Sequence, residues 1–219
     1  MTGARAVIWD MDGVIADTAP LHFEAWREAF QRRGQPFGRE DFDRTFGLRN
    51  DTIIRTVLGD DVEAAETEAI AREKEEGFRR RLGRGVHPLP GVRDLLAALA
   101  RHGFGQALAS SAPRLNIEAI LRTLGMADAF QAIVAEEDVA RGKPDPEVFL
   151  SAAKKLGLDS ARCIVIEDAV AGVRAAGAAG MKSVAVTNTH PRESLAEADL
   201  VVDSLVEVNP GILDELVCR

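Results

Sequence analysis

A chain of 219 residues is long enough for one large domain, or for one domain carrying an insert. Apolar residues make up 46% and charged residues 28%, an ordinary composition for a protein in water, and no apolar run approaches the roughly 20 residues that span a bilayer. The net charge of −8 argues against nucleic acid as a partner and gives an anionic ligand no help from the global field, so such a ligand needs local cations or a metal.

The first element is a short apolar run from Ala6 to Trp9, which predicts a strand buried on both faces. It begins so early that no secretory leader is expected, which points to the cytoplasm. Residues from about 19 to 87 read as helices only. In the first of them Phe23, Trp26 and Phe30 recur at helical spacing, and Arg33, Gly34 and Pro36 end it. Glu40 to Phe46 and Asp51 to Leu58 are two shorter helices, and Val62 to Leu82 is a long, highly charged one. Gly83, Gly85, Pro88, Pro90 and Gly91 then break the chain. From there helices and strands alternate. Helices are predicted over Val92 to Arg101, Leu115 to Leu124, Pro146 to Leu156, Ala169 to Ala179 and Leu205 to Val217. Strands are predicted over Gly105 to Ser110, Ala132 to Val134, Arg162 to Ile166, Ser183 to Val186 and Leu200 to Val202.

This alternation predicts an α/β protein: a Rossmann-like parallel sheet core with an inserted all-helical cap domain. The core is expected over residues 1–17 and 88–219, the cap over residues 18–87. Of the two cysteines, Cys163 lies in an apolar run and reads as a buried small hydrophobe, while Cys218 is next to the C-terminus. A disulfide between them is not expected, which also fits a reducing compartment.

Chemistry concentrates at predicted C-terminal strand ends, where open α/β sheets bind ligands. Asp10 and Asp12 close the first strand, and Gly13 lets the chain turn away. Ser110 and Ser111 close the second. Lys143 precedes a helix, and Glu167 and Asp168 follow a later strand. Brought to one edge, these side chains form a crevice dense in acids, which calls for a hard, oxygen-seeking cation, with Mg²⁺ the natural choice. One aspartate would attack phosphorus while Lys143 and the metal neutralise the phosphoryl oxygens, and Ser110 would donate to the same group. A second acid would serve as acid and base, held off the metal through its side chain and raised in pKa by neighbouring charge.

The sequence resembles the haloacid dehalogenase-like phosphohydrolases, in the branch that contains β-phosphoglucomutase. Asp10, Met11, Asp12, Gly13 and Val14 match that family's first motif. Leu108, Ala109 and Ser110 match the second, Lys143 and Pro144 the third, and Glu167, Asp168 and Ala169 the fourth. The resemblance implies that Asp10 is the nucleophile and a metal ligand, and that Ser110 and Lys143 hold the phosphoryl group. It further implies that Glu167 and Asp168 bind Mg²⁺, and that Asp12 binds the metal through its backbone carbonyl and moves protons with its carboxylate.

In that family a cap supplies substrate contacts, for which His22, Trp26, Arg49, Asn50 and Lys74 are candidates, with Ser111 and Arg114 as substrate-binding candidates on the core side. His22 and Trp26 share a helix face; the alternative to substrate contact is that Trp26 is cap core and that His22 caps the helix or is solvated. Lys74 falls where a substrate-contacting lysine would align, although the charge density of its helix favours a solvated position. Arg79, Arg80, Arg81 and Arg84 are expected in solvent. Asn50 stands where the mutase has its phosphate-binding arginine, with Arg49 one place early, and Arg114 stands in place of a substrate-binding asparagine. These departures favour a phosphatase of small phosphomonoesters, sugar phosphates among them, over a mutase-like phosphotransferase. A non-catalytic phospho-ligand sensor is a third reading. A small phosphorylated metabolite is the expected partner, with no nucleic acid or membrane, and a monomer is compatible with all of this.

Overall fold

The computed structural model describes residues 4–83 and 85–217 of the chain. Cys218 and Arg84 lie outside the described residues. The first strand, β1 (Ala6–Trp9), is buried along its whole length. It pairs on one side with β2 (Gly105–Ala109) and on the other with β4 (Cys163–Glu167), parallel in both cases. With β3 (Ala132–Val134), β5 (Lys182–Val186) and β6 (Leu200–Val202) the sheet runs β3-β2-β1-β4-β5-β6. The chain leaves β1 toward β2 and later returns to the opposite side at β4. The sheet therefore reverses its order between β1 and β4, and the crevice beyond their carboxyl ends is the ligand position of such folds.

Both faces of the sheet are packed, and the alternation of side chains along each strand explains how. Val7 and Trp9 join Leu108, Ile164, Ile166 and Val184 in one apolar cluster, while Ala6 and Ile8 join Ala107, Ala109, Val134 and Val165 in another. Helices α5 (Val92–Arg101), α6 (Arg114–Leu124), α7 (Glu147–Leu156), α8 (Val170–Ala178) and α9 (Pro210–Val217) cover these faces.

Between β1 and β2 stand α1 (Ala19–Gln31), α2 (Arg39–Thr45), α3 (Asn50–Leu58) and α4 (Ala64–Leu82). They form a cap with an apolar centre of its own, built on Trp26, Phe30, Phe37, Phe42, Ile54 and Ile70. Pro20 starts α1, where its missing N–H costs nothing. Phe78 and Leu82, at the far end of α4, pack instead with the main core cluster, so α4 joins the two regions.

The last helix begins later than the sequence predicts. Leu205 to Glu207 make a single tight turn capped by Ser204, and α9 starts at Pro210. A residue before proline is disfavoured in helical backbone, so Asn209 interrupts the run. Its Oδ1 instead accepts the first free amides of α9, from Gly211 and Ile212. Cys163 is buried, and burial pushes its thiol up to about 11.

Candidate active site

Four segments meet at the carboxyl edge of the sheet. Asp10 follows β1, and Lys143 precedes α7. The Lys143 Nζ lies 2.5 Å from Asp10 Oδ1 and 2.5 Å from Glu167 Oε1. All three residues are almost fully buried. Glu167 Oε2 accepts the backbone amides of Asp168 and Ala169, each at 2.8 Å, and so holds the entry to α8. Asp168 is hydrogen-bonded by the Thr189 hydroxyl. Ser110 ends β2, and its Oγ accepts the Ala112 amide at 3.1 Å, which leaves its proton to donate into the cavity. Ser111 lines the same wall.

Gly13 is required here. Its φ is +79°, and a Cβ on it would lie 1.9 Å from Asp168 Oδ2. The Asn188 amide donates to the Gly13 carbonyl at 2.9 Å, tying the turn after β1 to the segment after β5.

The floor is short of positive charge. Asp10, Glu167 and Asp168 offer oxygens within 4.8 Å of one another. With Lys143 as their ammonium partner, three carboxylates would carry two uncompensated negative charges. Burial accordingly pushes Asp10 and Asp168 well above the ordinary carboxylate range; the neighbouring acids add to the rise and Lys143 opposes it. Burial alone would lower Lys143, yet the two carboxylates beside it raise it further and keep it charged. A buried, oxygen-only cluster with this deficit fits a hard divalent cation.

Asp12 faces the other way. Its Oδ1 lies 2.5 Å from the Thr18 hydroxyl and 3.2 Å from His22 Nε2. Burial would raise its pKa, but His22 and Thr18 outweigh burial and lower it. This corrects the sequence expectation of an acid–base residue raised by its neighbours. The raised acids are Asp10 and Asp168, because Asp12 turns toward the cap, where the hydrogen-bond donors lie.

The cap forms the roof. His22 is buried and stacks on Phe78 at 4.0 Å between ring centroids, so it neither caps α1 nor sits in solvent. Trp26 packs against Phe30 in the cap centre and also lines the cavity. Lys74 is not solvated as its charged helix suggests; it is 3% exposed, with Nζ 2.7 Å from Glu75 Oε1 and 5.0 Å from the Trp26 ring. Asn50 is buried and donates to Glu75 Oε1 at 2.8 Å. Two arginines expected in solvent are also engaged: Arg79 donates to Asn116 Oδ1 at 2.8 Å, and Arg81 to Glu28 at 2.6 Å. Arg80 is exposed, as expected.

Arg49 and Arg114 do not line this cavity. Arg49 reaches from the cap to Glu136 at 3.2 Å and to the carbonyls of Val139 and Ala140. Arg114 pairs with Asp138 at 2.5 Å.

A model of the haloacid dehalogenase-like hydrolase family matches residues 4–180. The chain belongs to that family. It is 38% identical to the β-phosphoglucomutase of Bacillus subtilis over 220 residues, covering 96% of this chain and 94% of that one. It is 35% identical to a fructose-1-phosphate phosphatase of Escherichia coli over 180 residues, covering 82% and 95%. The solved β-phosphoglucomutase of Clostridium difficile superposes with a TM-score of 0.91 at 30% identity, over 99% of this chain and 98% of that one. Both of these curated relatives are named for activities on phosphorylated sugars.

As a haloacid dehalogenase-like hydrolase the chain holds several polar side chains at its site that the sequence motifs do not point to. Glu75 joins Lys74, Asn50 and Asn116, and so links α4, α3 and α6. Thr18 and Thr189 each hold one of the aspartates. Thr189 comes just after β5, so the strand-end rule that finds Ser110 and Glu167 extends to it.

Proposed function

We propose that the chain is a Mg²⁺-dependent phosphohydrolase that cleaves a small phosphomonoester, a sugar phosphate for example, through an aspartyl-phosphate on Asp10. Residues 1–17 and 88–219 form the catalytic core in this reading, and residues 18–87 the cap. The observation that carries it is the buried Lys143 bridge between Asp10 and Glu167, with Ser110 across the same cavity.

Asp10 attacks phosphorus from the end of a strand packed on both faces, a rigid platform. Lys143 and the Ser110 hydroxyl face the phosphoryl oxygens and stabilise the charge that grows on them. Asp12, positioned by Thr18 and His22, protonates the leaving alkoxide, then takes a proton from the water that hydrolyses the acyl-phosphate. Because its pKa is lowered, Asp12 is ionised in the free protein, so for the first step it takes up a proton that arrives with the phosphomonoester, and it is left ionised again for the second. Asp10, Asp168 and Glu167, with the Asp12 carbonyl, would hold the cation, which would supply charge neutralisation at the phosphoryl group. The cavity of about 40 Å³ has room for only a few water molecules, so the cap swings aside to admit substrate and shuts to exclude solvent.

The 38% identity to a mutase supports a second reading, transfer of the phosphoryl group to a sugar hydroxyl. Phosphate release from a panel of sugar phosphates, run beside isomerisation of glucose 1-phosphate, separates the two. Isomerisation without net phosphate release would overturn the hydrolase reading. Both activities would reside in a protein of the cytoplasm acting on a phosphorylated metabolite.

A further inference from the structure

The cap end of the cavity holds two opposite charges side by side. Lys74 and Glu75 are 3% and 5% exposed, and their charged atoms are 2.7 Å apart. Glu75 is not a counter-ion free to swing away. Asn50 from α3 donates to one of its oxygens at 2.8 Å, and Asn116 from α6 donates to the other. Arg79 bonds the Asn116 carbonyl oxygen at 2.8 Å, which fixes that amide with its nitrogen toward Glu75. Burial would raise Glu75, but Lys74, His22 and the Asn116 amide more than offset it, so the carboxylate is ionised at neutral pH. Around it, Arg49 is held by Glu136, Arg114 by Asp138 and Arg79 by the Asn116 amide, and none of the three lines the cavity.

A group arriving at this end meets a neutral, fixed Lys–Glu pair with amide donors around it. A sugar hydroxyl can donate to Glu75 and accept from Lys74 or Asn50. A second phosphate, with a charge of about −1.5 to −2, would meet a desolvated carboxylate whose neighbouring cavity-lining cation, Lys74, is already committed to it. We infer that Glu75 is a specificity-determining residue that admits phosphomonoesters with an uncharged, hydroxyl-bearing remainder and rejects substrates carrying a second phosphate. This rests on the phosphohydrolase reading above and sides against the mutase. A phospho-enzyme that hands its phosphoryl group to a sugar monophosphate forms the P–O bond of a bisphosphate as its own aspartyl–phosphate bond breaks. That product is the compound Glu75 repels.

The test uses the full chain with Mg²⁺, as wild type and as Glu75→Gln, on glucose 6-phosphate, fructose 1-phosphate and the 1,6-bisphosphates of glucose and fructose. Wild-type kcat/KM for the monophosphates should exceed that for the bisphosphates by about tenfold or more, and Glu75→Gln should shrink the ratio by a similar factor. Lys74→Met, which leaves Glu75 without its cation, should widen it. A preference for bisphosphates in the wild type, or a ratio that neither variant moves, overturns the inference and leaves the phosphohydrolase reading in place. Should the wild type release phosphate from none of the four, the reaction reading fails instead. Calorimetric binding of the same compounds to wild type and variants then decides the role of Glu75 by the same ratios. The wild-type ratio is decisive even if a variant does not fold.

Discussion

Replacing Lys143 by methionine keeps most of the side-chain volume and removes its charge. In the native chain this ammonium lies 2.5 Å from oxygens of both Asp10 and Glu167, in a region closed to solvent. The variant leaves three carboxyl groups within 4.8 Å and no side-chain cation between them. Removing one partner of a buried pair costs about 3–5 kcal/mol. A chain of this length shifts its Tm by about 2–4 °C per kcal/mol, so metal-free Lys143→Met should melt roughly 10 °C below wild type near pH 7.5. The sign of the pH effect is fixed. Asp10 is raised by burial and partly held down by Lys143, so losing the lysine raises it further. An acid whose folded pKa exceeds its unfolded value of 3.8 weakens the fold increasingly as pH rises above that value. Wild-type Asp10 is pushed up to about 8, so its further rise in the variant tells only above that value: the gap should widen as pH climbs from about 7.5 to about 9, and Mg²⁺ should return part of the loss by supplying positive charge. Calorimetric melts in EDTA and in Mg²⁺ at the two pH values read all of this. An unchanged Tm in EDTA near pH 7.5 refutes the view that the lysine holds these acids together. A gap no wider near about pH 9 than near about pH 7.5 refutes its electrostatic origin.

The wild type should show the same signature in milder form. In EDTA its stability falls as pH rises from about 5 to 8, because Asp10 and Asp168 are both raised, and Mg²⁺ affinity rises over the same range as the cation displaces their protons. Titration calorimetry at two pH values checks the second point. Asp10→Asn should abolish turnover with Mg²⁺ present while circular dichroism shows the native fold; residual turnover free of contaminants would rule out the covalent route. Gly13→Ala should lose about 2 kcal/mol or more, since the left-handed backbone and the 1.9 Å approach to Asp168 both oppose a methyl group. A urea melt with an unchanged midpoint would show that the turn relaxes freely.

The floor of the site was legible because each of its pieces ends an apolar run or starts a helix. Asp10, Ser110 and Glu167 each terminate a strand that is easy to read, and a parallel sheet carries such ends to one edge whatever their separation in sequence. The roof was harder. Lys74 sits on a helix whose overall composition reads as a solvated face, yet Ile70, Lys74 and Phe78 follow at intervals of four and all are buried. The spacing signal was present, and the charge count hid it. Asn116 likewise lies four residues before the buried Ile120, on the inward face of α6. That Asp12 is lowered and Asp10 raised is not readable from sequence, because it depends on which acid turns toward Thr18 and His22.

Charge divides this cavity into two ends with different needs. The floor holds carboxylates that Lys143 alone does not balance; without a cation they retain protons, and a divalent cation displacing those protons would neutralise the floor for an arriving phosphoryl group. The cap end is already balanced by Lys74 and Glu75, and a ligand there gains hydrogen bonds, not charge. A chain with a net charge of −8 repels anions at a distance, so capture of a phosphate depends on this local contrast. Closing the cap sharpens it, because both the attraction at the floor and the repulsion at Glu75 grow as water leaves. In the proposed reading the closed geometry would work as a charge filter along the length of the substrate, retaining one phosphate at the metal end and penalising a second at the other.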